Sequence, residues 1–123
     1  SAGLIPAGPY MATYYATKAY VASLSRAVAK ELRQHNSGVY VGCLCPGPVD
    51  TEFNDVANVK FALKGISAEY CANYAIDMMK KKKTVIIPTL QMKVVTVCGR
   101  LIPQSLYISL VSHQQKKKFL SRA

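Results

Sequence analysis

The sequence predicts an α/β fold, a parallel sheet with helices on its faces, from three observations. Between residues 11 and 34 apolar side chains recur with a helical period: Leu24, Val28 and Leu32 stand at i, i+4 and i+8, while Arg26, Lys30 and Arg33 fall off that stripe. Two short apolar runs, Val39 to Leu44 and Thr84 to Ile87, have the β-branched, uninterrupted character of buried strands. Helical segments lie between and beyond them, and strand alternating with helix points to parallel pairing through crossovers.

Each element follows from local chemistry. Ser1 to Pro6 reads as the exit from a strand, kept irregular by Gly3, Pro6, Gly8 and Pro9. The helix from about Met11 to Gln34 stops at Asn36-Ser37-Gly38, where Gly38 suits the left-handed residue past a helix end. Val39 to Leu44 is the next strand, and Cys45-Pro46-Gly47-Pro48 closes it into a loop through Asp50 and Thr51. Ser67 caps a second helix, with Glu69 in its first turn and Lys80 to Lys83 at its end, charges that suit the helix dipole at both termini. Tyr70, Tyr74 and Met78 recur on that helix as core positions. Thr84 to Ile87 follows as a strand closed by Pro88. From Leu90 to Ser112 the chain is strongly apolar, but Lys93, Arg100 and Pro103 interrupt it, so a pair of amphipathic or core-packed helices is expected rather than a membrane span. These elements divide the chain into residues 1–88 and a basic helical extension, 89–123.

Composition narrows the function. With 123 residues, half of them hydrophobic and 18% charged, the chain is no disordered segment, and it amounts to one domain or part of one. Cys43, Cys45, Cys71 and Cys98 offer neither a disulfide framework nor zinc-ligand spacing, so no metal is expected and all four read as small buried hydrophobes in a reducing compartment. The charge is uneven. Residues 1–59 balance to zero, whereas residues 60–123 carry twelve basic side chains against Glu69 and Asp77, the whole of the net +10. The Lys80–Lys83 and Lys116–Lys118 runs fit a solvated helix end and tail, or peripheral contact with an anionic membrane surface. No aromatic-interleaved basic motif points to nucleic acid.

The chemistry concentrates in the first 51 residues. Tyr14 and Lys18 stand four apart at the start of a helix, so phenol and ammonium share one face. A cation a few ångströms away favours the ionised form of a phenol, which lets one group both give and take a proton. Ser1 lies thirteen residues before Tyr14 at the end of an expected strand, where its hydroxyl can meet a carbonyl or alcohol oxygen. Pro46 to Thr51 follows the next strand, at the carboxyl edge where open α/β sheets bind ligands. His35, His113 and the Asp50/Glu52 pair default to structural roles.

Ser1, Tyr14, Lys18 and Pro46-Gly47, in this order and spacing, resemble the short-chain dehydrogenase/reductase family over residues 1 to about 53; from 67 to 88 only the helix and strand order agrees. The resemblance implies the carboxyl-terminal half of a Rossmann-like, doubly wound parallel sheet in three α/β/α layers. It implies an NAD- or NADP-dependent oxidoreductase that interconverts a carbonyl and a secondary alcohol. Ser1 would orient the substrate oxygen, Tyr14 would be the general acid/base, and Lys18 would hold the nicotinamide ribose. Tyr14, Lys18, Pro46, Gly47, Val49 through its backbone and Thr51 through its side chain would contact the cofactor. Tyr15 receives no role, and residues 54–66 fall where the family keeps a substrate lid. The family's Gly-rich dinucleotide turn is absent, since the seven glycines never form G-x-x-x-G-x-G after a strand. The chain is therefore expected to be a fragment, inactive alone, of a cytoplasmic homo-oligomer. The alternative is a catalytically silent binding protein on the same fold, at a membrane surface or a partner.

Overall fold

The computed structural model describes Leu4, residues 9–50 and residues 65–120. The expected strand exit around Ser1, the Thr51 side chain and most of the 54–66 segment lie outside the described residues. What is described is α/β with parallel strands, consistent with part of a Rossmann-like sheet.

Helix α1, Ala12–Gln34, buries Ala22 and Ala29, which are seven residues apart and so on one face. These small side chains let α1 lie against the first strand. The expected Leu24 stripe is displaced: Leu24 is exposed, and Val28 and Leu32 are half-buried. At the carboxyl end the Ser37 N–H donates to Leu32 O at 2.9 Å and the Asn36 N–H to Arg33 O at 3.1 Å. This is a Schellman closure, and its left-handed residue is Asn36, φ 52°, rather than Gly38. Asparagine tolerates that region, so Gly38 was not needed there.

Strand β1, Cys43–Leu44, pairs in parallel with β4, Val85–Ile86, with Cys43 opposite Val85. The Cys43 N–H donates to Thr84 O at 2.7 Å and the Cys45 N–H to Ile86 O at 2.8 Å. The pairing is shorter than the Val39–Leu44 run. Val39 is exposed, and the Tyr40 hydroxyl donates to Lys83 O at 2.5 Å, with its ring tip occupying the space beside Gly42 that a Cβ would fill. A second parallel pair joins β2, Val49–Asp50, to β3, Ile66–Ser67.

Helix α2, Ala68–Lys80, begins as expected at Ser67, whose Oγ accepts from the Tyr70 N–H at 3.1 Å. It ends in another Schellman closure, with Lys82 left-handed at φ 53° and the Lys83 N–H donating to Met78 O. Of its expected core positions Tyr70 is exposed, and Tyr74 and Met78 are half-buried; the buried residue is Cys71. Helix α3, Leu90–Leu101, is capped by Thr89 and turns Met92, Thr96 and Gly99 inward. Pro103 separates it from α4, Gln104–Leu120. A Cβ on Gly99 would lie 2.9 Å from the Tyr107 ring, so this glycine is what allows α3 and α4 to meet closely. Among the described residues no helix is long and apolar enough to cross a membrane.

Candidate functional site

Tyr14 sits in the first turn of α1, just after Tyr10, which takes a left-handed φ of 68° and redirects the chain into the helix. No side chain caps this end; the Tyr15 N–H closes the turn onto Met11 O at 3.1 Å. Tyr14 is 47% exposed, on the open side of the helix. One turn on, the Lys18 Nζ lies 5.6 Å from the Tyr14 ring centroid, a cation–π arrangement that keeps the charge beside the phenol. Thr17 Oγ1 donates to Tyr14 O at 2.9 Å within the same turn.

Tyr15, which the sequence leaves without a role, meets Tyr14 edge-on, with centroids 6.1 Å apart and planes at 77°. It is half-buried, and its hydroxyl accepts from Gln115 Nε2 of α4 at 2.8 Å. Burial pushes its phenol up, the Gln115 hydrogen bond opposes this, and the neighbouring Tyr14 adds to it. A partner one hundred residues away leaves no local sequence signal, so this contact was not foreseeable.

The second group is the loop between β1 and β2. The Cys45 N–H to Ile86 O bond fixes it before Pro46, and the Ile66 N–H, donating to Pro48 O at 3.1 Å, fixes it after Gly47. A Cβ on Gly47 would fall 2.6 Å from Met92 Cγ, so the loop backbone rests directly on buried Met92 of α3. Tyr14 is thus brought to Lys18, and Pro46 and Gly47 are brought into one braced loop that leads directly into Val49 at the start of β2. The two groups are linked through the packing of α1 on β1. Ser1 and Thr51 lie outside the described residues, so their relation to Tyr14 is not described.

All four cysteines are free. Cys43 and Cys45, two apart on one strand face, hold their sulfurs 3.7 Å apart. Burial pushes the Cys45 thiol up to about 11, and the Cys43 charge and hydrogen bond add to the effect. Cys98 departs from the expectation of burial: it is exposed, because α3 turns Met92, Thr96 and Gly99 inward instead. Among the described residues no three His, Cys, Asp or Glu side chains cluster as metal ligands. A hollow of about 170 Å³ between α2, β4 and α3 is lined by residues including Tyr74, Lys83 and Lys93, and by none of the predicted site residues.

A family model described as short chain dehydrogenase matches residues 1–62, just over half of the 123 residues. That stretch contains Ser1, Tyr14, Lys18 and the loop from Pro46 to Thr51. No curated protein and no solved structure matches the chain.

Proposed function

From the premise that the chain belongs to the short-chain dehydrogenase family, we propose that it is an NAD(P)-dependent oxidoreductase interconverting a carbonyl and a secondary alcohol. The observation that carries this reading is the exposed Tyr14 phenol with the Lys18 ammonium held against its ring. A nicotinamide, when bound, supplies or accepts the hydride. Tyr14 Oη moves the matching proton, giving it to the nascent alkoxide in reduction and taking it from the alcohol in oxidation. Lys18 places a positive charge beside the phenol, where negative charge grows as the proton leaves.

The residues present fit the nicotinamide end of the dinucleotide. Lys18 is exposed and carries N–H donors suited to ribose hydroxyls. The braced backbone of Pro46, Gly47 and Val49, with the Thr51 hydroxyl, would hold the carboxamide. Ser1 would orient the substrate oxygen. No Gly-rich phosphate turn occurs in these 123 residues, so none of them is assigned the pyrophosphate.

The test is NADH and NADPH oxidation against a panel of aldehydes and ketones, with the chain expressed together with whatever coding sequence precedes Ser1. Tyr14→Phe keeps the ring and removes the proton; turnover should fall by about 100-fold or more, the scale of a lost general acid. Turnover unchanged by the substitution would sink the assignment of Tyr14. Nucleotide binding without turnover on any substrate would favour the silent scaffold.

A further inference from the structure

We propose that the outward face of α3 docks this chain onto the surface of an anionic lipid membrane, an inference independent of the oxidoreductase reading. The helix presents both of its leucines and two of its three valines to the outside. Met92, Thr96 and Gly99 face the core, whereas Leu90, Val94, Val97 and Leu101 recur at i, i+4, i+7 and i+11 on the opposite side, all exposed. The two end residues are 76% and 80% exposed. A stripe of this kind is the apolar half of a helix that lies in a membrane interface.

Charge identifies the occupant. Lys93 and Arg100, seven apart, run along one edge of the stripe. Lys93 is further positioned by donating to the Tyr74 hydroxyl at 3.0 Å, with its Nζ 5.5 Å from that ring. After Asp77 the sequence contains ten Lys and Arg and no Asp or Glu. Two copies joined through this half would confront like charge with like, which opposes a dimer here. An anionic bilayer satisfies both properties: it takes the leucine and valine side chains into the headgroup boundary and pairs with the flanking cations.

The experiment is flotation of the full chain with vesicles of phosphatidylcholine alone and of phosphatidylcholine mixed with phosphatidylglycerol. Binding is expected to the mixed vesicles, to weaken with added salt, and to fall roughly thirtyfold in the Lys93→Gln/Arg100→Gln double variant, about fivefold per cation. Val94→Glu/Val97→Glu should abolish it, and Leu101→Ser, at the most exposed position, should weaken it without threatening the fold. Circular dichroism checks each variant, and the comparison of the two lipids needs no variant at all. No binding, equal binding to both lipids, or undiminished binding by a folded Val94→Glu/Val97→Glu chain would overturn the proposal. So would a dimer in solution that these same substitutions disperse.

Discussion

Tyr14 is a phenol whose neighbours act on it from two directions: Lys18 over the ring face and Tyr15 at its edge. Tyr15 is tied in turn to Gln115, so the last helix reaches the residue beside the proposed acid/base. Tyr15→Phe removes that hydrogen bond and strands a half-buried amide, at a cost of about 1 kcal/mol in stability by thermal or urea unfolding. The thiols give a second test. Cys45, held near 11 against an ordinary value of 9.0, carries about a hundredth of the usual thiolate fraction at neutral pH. Iodoacetamide should therefore modify exposed Cys98 long before Cys45, as peptide mass mapping would show. The same shift has a sign for stability. A group that binds its proton more tightly when folded contributes fully below its unfolded value and loses that contribution as pH rises through its folded value. Melting temperature should thus decline between about pH 9 and 11, with Tyr15 and Tyr107, both raised chiefly by burial, extending the loss above pH 10. Cys45→Ala should flatten the first part of that decline; an identical slope in the variant would show that Cys45 does not cause it.

Among the elements, those written in local chemistry were legible and those settled by distant partners were not. Ser67 announces α2 because an N-cap hydroxyl acts within three residues, and the structure shows that bond to Tyr70. Ser67→Ala should cost about 1 kcal/mol for the same reason, read as a shift of the urea midpoint at constant slope. The Tyr14–Lys18 pair was legible likewise, since four residues on a helix fix their shared face. The extent of β1 was not, because which backbone groups of the Val39–Leu44 run find partners is settled by Thr84 and Ile86, some 41 residues further along the chain. Periodicity also misjudged α1. It weighs Leu24 above Ala22, yet close approach to a strand selects the smaller side chain. Gly99 follows the same logic with Tyr107 against it: Gly99→Val should destabilise by about 1–3 kcal/mol through overpacking and separate α3 from α4. A loss of vesicle binding in that variant without loss of α3 helicity would indicate that the pairing of the two helices helps to present the docking stripe.

For the whole molecule, the uneven charge separates two apolar faces that would otherwise compete. The outer side of α1 exposes Tyr20, Val21 and Leu24 in the half of the chain whose charges balance to zero, while α3 lies in the half that carries the entire +10. An apolar face in the half of the chain without net charge meets less repulsion from a second copy; one in the cationic half suits an anionic surface. The two contacts should respond oppositely to salt. The screening length shrinks from about 30 Å at 0.01 M to about 8 Å at 0.15 M. Long-range repulsion between the basic halves is then suppressed, and self-association through α1, measured by sedimentation, should strengthen. Vesicle binding, which depends on attraction over the same distances, should weaken across the same titration. Leu24→Glu should remove the first response and spare the second, and Val97→Glu should do the reverse. If one substitution abolished both responses, a single face would be serving both partners, and the division of the molecule into a pairing half and a docking half would fail.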